Sequence, residues 1–146
     1  MGVDIGAAPA ILQSNKNFQF QQIDLRKPGA CEEVVKNCVD SFGGRIDILL
    51  NVAGVMDTNN SVNNLDEATW DKIISINLTV PTMLSKHVVN IFLKQGGGSI
   101  VNVSSKAGLS GGTAGVAYTA SKHGVVSHLE ICSGDKRILK SFHGNR

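Results

Sequence analysis

Apolar and polar positions recur with two different periods along this chain, and the change of period marks its elements. From Phe18 to Ile23, Phe18 and Phe20 fall on one face and Gln19 and Gln21 on the other, the period of two of a half-buried strand. Asp24 and Pro28 then supply a turn. Over 29–42 the side chains Val34, Val35, Cys38, Val39 and Phe42 recur at helical spacing, and Gly43-Gly44 ends the pattern. Ile46 to Asn51 is a compact apolar run of the kind buried on both faces of a parallel sheet. Strand, helix, strand in that order predicts a crossover unit.

The next segment, Asp66 to Leu93, carries Trp70, Ile73, Ile74, Leu84, Val88, Ile91 and Phe92 on a helical repeat with Pro81 inside it. A proline lacks the amide hydrogen and clashes one turn back, so the helix is expected to kink or divide there. Gly96-Gly97-Gly98 breaks it, Ile100 to Val103 resumes a buried strand, and a glycine-rich loop over 108–115 leads into another helix from about Val116. Strands alternating with helices predict an α/β layered fold with right-handed crossovers.

Composition narrows the function classes. Of the 146 residues 42% are apolar and 18% charged, with a formal net charge of +2, which suits one ordinary globular core and argues against disorder or an electrostatic nucleic-acid binder. Cys31, Cys38 and Cys132 are odd in number and lack Cys-x-x-Cys spacing, so no metal site is expected and reduced thiols in a cytoplasmic setting are. Residues 1–10 show no export signal and no run long enough for a membrane anchor, so no membrane partner is expected.

The candidate chemistry gathers late in the chain. Ser105 follows one predicted strand, Tyr118 comes thirteen positions later, and Lys122 stands four beyond it, hence on the same face of a helix, where an ammonium can stabilise a phenolate. Asn51-Val52-Ala53-Gly54 ends an earlier strand, at the carboxyl edge where open parallel sheets bind ligands. Small residues there leave the backbone open to a flat ring or a ribose.

Taken together, Asn51 to Gly54, Asn77, the run Gly98 to Ser105 and the run Tyr118 to Gly124 resemble the short-chain dehydrogenase/reductase family, in its order and spacing, from about residue 3 to about residue 127. The resemblance implies a Rossmann-like parallel sheet with flanking helices and hydride transfer between a nicotinamide cofactor and a secondary alcohol or ketone. Tyr118 would be the general acid or base, Lys122 would hold the nicotinamide ribose, Ser105 would polarise the substrate oxygen, and Asn77 would position a water in a proton relay. Asn51, Ala53 and Gly54 would contact the adenosine side, Asp24 and Leu25 would flank the adenine, and Asp4 would bind the ribose hydroxyls, which favours NAD over NADP. Helices over 66–94 and 116–128 would offer the interface of a homo- or hetero-oligomer.

The resemblance also implies what is lacking. A first strand with its glycine-rich phosphate loop would precede the acid that Asp4 resembles, and further strands would follow Ser127, so the fold is expected to be incomplete at both ends. We expect a partial Rossmann-like domain over 1–128 and a non-family tail over 129–146. Cofactor binding by such a chain is expected to be weak, which keeps a second class of function open: a non-catalytic fragment or binding module that associates with a full-length relative.

Overall fold

The structure, a computed structural model, describes the backbone of residues 1–57 and 59–132 and the side chains as far as Ser127. Two pairs of parallel strands make up its sheets. Strand β1 (Gly2–Asp4) pairs with β2 (Phe20–Gln22), and β3 (Ile48–Asn51) pairs with β4 (Ser99–Asn102), Ile48 opposite Ser99 and Asn51 opposite Asn102. Neither β1 nor β2 bonds to β3 or β4. This is the incomplete Rossmann-like sheet that the sequence predicts.

Among the described residues four α-helices lie between and after the strands: α1 (Ala30–Ser41), α2 (Glu67–Ile74), α3 (Val80–Gln95) and α4 (Val116–Cys132). The start of α1 is set by Gly29 at φ +80°, and its end by Gly43 and Gly44 at +72° and +87°, a left-handed conformation glycine adopts without steric cost. The expected division of the long helix does occur. A π-helical turn, Ser75–Thr79, separates α2 from α3, and Pro81 sits in the first turn of α3, where its missing amide hydrogen costs nothing. At the other end of α3, Gly98 lies flat against the Phe92 ring, with no room for a Cβ.

The core forms where α1 and α3 pack together over the strands. Cys31, Val34 and Val35 of α1 meet Val80, Leu84, Val88 and Phe92 of α3, with Ile46 and Ile100 beneath, and Met1, Val3, Ile23 and Leu49 packed against them. Each fully buried side chain of this size contributes roughly 1.5–3 kcal/mol. Cys31 and Cys38 are free thiols in this layer, and burial raises the pKa of both. Among the described residues no helix is long and apolar enough to cross a membrane.

Several expectations need correcting. The strand expected over Phe18–Ile23 is shorter, because the Phe18 amide bonds back to the Asn15 carbonyl in a turn, and its ring lies tilted against that of Phe20 with centroids 6.4 Å apart. Ile46–Asn51 is not buried on both faces: Ile48 and Leu50 are 60% and 61% exposed, since nothing described covers the face opposite α1 and α3. Phe42 and Trp70, expected on apolar helix faces, stand at 38% and 37% exposure; Phe42 has already left helical geometry at the C-cap of α1. Helix α4 continues to Cys132, four residues past the expected boundary at 128, because no glycine or proline interrupts residues 128–132. The rest of the tail expected over 129–146 lies outside the described residues.

Candidate active site

The side chains of interest meet where the carboxyl ends of β3 and β4 face α4. Strand β4 ends at Asn102, and the chain passes through Ser104 and Ser105 into a single 3-10 turn, Lys106–Gly108, which packs on α4. The approach is close. A Cβ on Gly108 would come within 2.6 Å of Ser104 Oγ and 2.7 Å of the Lys122 carbonyl oxygen, so only glycine lets the turn lie on the helix.

On α4, Tyr118 and Lys122 are one turn apart, and the Lys122 ammonium stands 5.6 Å from the centroid of the Tyr118 ring, within cation–π range. Lys122 is only 5% exposed, and its Nζ donates to the Val103 carbonyl oxygen at 2.9 Å. Burial lowers its pKa, because the charged form is costly away from water. An anion formed beside it would offset that cost. The Ser105 hydroxyl is half-buried and accepts the Ala107 amide at 3.3 Å, which fixes the side chain at the mouth of the turn.

Asn77 comes from the π-helical turn and is 1% exposed. Its Oδ1 accepts the Val55 amide at 2.8 Å, and its Nδ2 donates to the Val55 carbonyl at 2.9 Å and to Ser121 Oγ at 3.1 Å. A side chain with this many backbone bonds is a clamp on the loop after β3. The extra residue of the π turn lets it reach inward, a recurrent use of such turns. Gly54 lies against this clamp: a Cβ there would be 3.4 Å from Asn77 Oδ1 and 3.7 Å from Lys122 Nζ.

Tyr118, Lys122, Asn77 and Gly54 are thus gathered around one place, and Ser105 opens the 3-10 turn that packs on the same helix. The other residues singled out in the sequence are not. Asn51 turns into the interior, donating to Asn102 Oδ1 at 2.6 Å and reaching Ser85 Oγ at 3.5 Å. Ala53 is exposed on the following loop. Asp24 is taken up by Arg26, whose guanidinium donates to both carboxylate oxygens and holds the carboxyl pKa down to about 2; Leu25 packs against the core. Asp4, at the end of β1, is exposed and accepts the Gly6 amide at 2.8 Å. Among the described residues no group of His, Cys, Asp and Glu could hold a metal ion.

Two members of the cluster escaped the sequence reading. Ser121 is fully buried and joins Asn77 to the Tyr118 carbonyl, to which it donates at 2.7 Å. Its place directly before Lys122 was the one signal available. Asp57 is 8% exposed and accepts the Gly115 and Tyr118 amides; an acid in a loop carries no such signal.

Comparison with known proteins identifies the family. The family model for short chain dehydrogenases matches residues 5–133. The chain is 49% identical over 126 residues to the short chain dehydrogenase adrF of Penicillium roqueforti, covering 86% of this chain and 49% of that protein. It is 52% identical over 126 residues to the asnovolin H dehydrogenase nvfC of Aspergillus novofumigatus, with 86% and 49% covered. Among solved structures, ElxO with NADP bound superposes with a TM-score of 0.78 at 27% identity, over 87% of this chain and 52% of that one. An ElxO variant with NADPH bound gives 0.82 at 26% identity, over 92% and 56%. The chain therefore belongs to the short-chain dehydrogenase/reductase family, and its fold is a partial Rossmann-like one. It spans about half the length of the curated relatives it matches.

Proposed function

We propose that this chain carries the catalytic end of an NAD(P)-dependent oxidoreductase that interconverts a secondary alcohol and a ketone. The observation that carries this reading is the buried Lys122 ammonium 5.6 Å from the ring of Tyr118, with Ser105 held at the rim of the same turn-and-helix contact. The residues present fit the nicotinamide end of a dinucleotide, since Gly54 leaves its backbone open beside Asn77 and Lys122. When bound in its reduced form, the nicotinamide supplies the hydride.

The residues of the chain handle the proton. As a substrate carbonyl gains negative charge, the Ser105 hydroxyl donates to its oxygen and lowers the barrier electrostatically. The Tyr118 hydroxyl gives up its proton to that oxygen, and in alcohol oxidation takes one back. Lys122 stabilises the phenolate left behind, and Asn77 supports a water that returns the proton from solvent. Both solved neighbours named above carry the phosphorylated cofactor, so NADP(H) is the form to expect, against the lean to NAD that Asp4 gives.

Turnover of NADPH with a panel of secondary ketones tests the reading. Tyr118→Phe is expected to lower the rate by roughly 10²–10⁴-fold, the usual worth of a positioned acid or base, and an unchanged rate would refute the assignment. A second reading is favoured by the exposed Ile48, Leu50 and Val52: a module that associates with another chain, through this face or through the helices over 66–94 and 116–128. A mixed species by native mass spectrometry, formed with a full-length relative in the absence of any turnover, would select it.

A further inference from the structure

Helix α4 begins without a cap of its own. The Gly115 carbonyl accepts the first helical bond, from the Thr119 amide at 3.0 Å, so Gly115 is the capping residue and has no side chain to offer. The first four amides of a helix need partners from elsewhere. Three of them find partners in one loop, the one that follows β3. Asp57 Oδ1 accepts the Gly115 amide and Asp57 Oδ2 the Tyr118 amide, each at 3.1 Å, and the Asn60 carbonyl accepts the Val116 amide at 3.0 Å.

A single carboxylate here does what a capping box divides between two side chains, and it does so from another part of the chain. Asp57 is 8% exposed, and its charge lies at the positive end of the helix dipole. The fit is tight: a Cβ on Gly115 would overlap the Asp57 carboxylate, so glycine at the cap and aspartate in the loop require each other. The same loop is clamped by Asn77 at Val55, two residues earlier, and passes Lys122 at Gly54, three residues earlier.

We propose that Asp57 is a positioning residue. By bonding the backbone of Tyr118 itself, it fixes the first turn of α4, and so the phenol, against the loop that borders the cofactor side of the site. This extends the oxidoreductase reading, but its structural half does not depend on turnover.

Tyr118 is the only tyrosine in the sequence, so the chain labelled with 3-fluorotyrosine gives a single ¹⁹F resonance from that ring. The unmodified chain, Asp57→Asn and Asp57→Ala are compared by ¹⁹F spectra and by amide hydrogen exchange at Gly115 and Tyr118. In the unmodified chain both amides should be protected, and Asp57→Ala should speed their exchange at least tenfold and move the ¹⁹F line toward that of the free amino acid. Asp57→Asn, which keeps one acceptor oxygen, should fall between. If Asp57→Ala does not fold, Asp57→Asn and the protection in the unmodified chain still decide. Unprotected amides, or a ¹⁹F line and exchange rates indifferent to both substitutions, would overturn the proposal. Where the unmodified chain turns over, Asp57→Ala should lower kcat by about ten- to a hundredfold, with a smaller change in KM, as a displaced catalytic group does. Absence of turnover in the unmodified chain with the structural effects present would count against the oxidoreductase reading alone.

Discussion

The two faces of the β3–β4 pair have opposite fates. On one, Ile100 is 4% exposed and packs beneath Val88 and Phe92, which α3 holds at 1% and 0%. On the other, Ile48, Leu50 and Val52 stand 60–64% exposed, alternating with the half-buried Leu49 and Asn51. A strand alternates its side chains between faces regardless of what covers them, so an apolar run fixes only that the segment seeks burial. Whether a face is buried depends on a helix from elsewhere in the chain, and the site lies at the edge of the finished face.

Substitutions on the two faces should differ accordingly. Phe92→Ala empties a fully buried site and should cost about 3–5 kcal/mol in urea unfolding; a cost under 1 kcal/mol would mean that α3 is not packed as described. At the site itself, Gly108→Ala should cost roughly 1–3 kcal/mol by forcing the 3-10 turn off α4, and a variant as stable as the parent would show the approach to be loose. On the open face, Leu50→Ala should change stability by no more than about 0.5 kcal/mol, as at ordinary surface positions. Leu50→Lys should in addition reduce self-association in sedimentation, because charge on an exposed apolar strand opposes edge-to-edge contact.

The smallest effect concerns the exposed Asp24–Arg26 pair. The folded carboxyl is held at about 2, below its ordinary value of 3.8, so the unfolded chain takes up its proton first as the pH falls. The contribution is therefore complete above the ordinary value and is lost as the pH falls toward 2. Solvent screens the pair, so the effect is slight. Urea midpoints measured from pH 5 to pH 2 should fall less steeply in Asp24→Asn than in the parent, and identical slopes would show that the pair adds nothing.

How far the sequence could be read varied with how local each cause was. Gly43-Gly44 and Gly96 end helices through their own φ angles, and Pro81 stands just past the π-helical turn that divides the long helix, so these boundaries were visible as residues. Tyr118 and Lys122 were paired by helical spacing alone. The interior turn of Asn51 was not visible, because it depends on Asn102 and Ser85, which come from distant parts of the chain. Asp24, which the resemblance places beside the adenine, has its carboxylate bonded by an arginine two residues away.

By itself, then, the order of residues determined the alternation of strands and helices, where those helices stop, and the placing of a phenol and an ammonium on one helical face, since each follows from backbone geometry over a few positions. Tertiary structure alone decided that Asn77 clamps Val55, that Asp57 caps the helix bearing Tyr118, and that among the described residues one sheet face is covered and the other is not. Those contacts join residues 22 to 61 positions apart, and no local propensity encodes which distant partner will satisfy a buried amide.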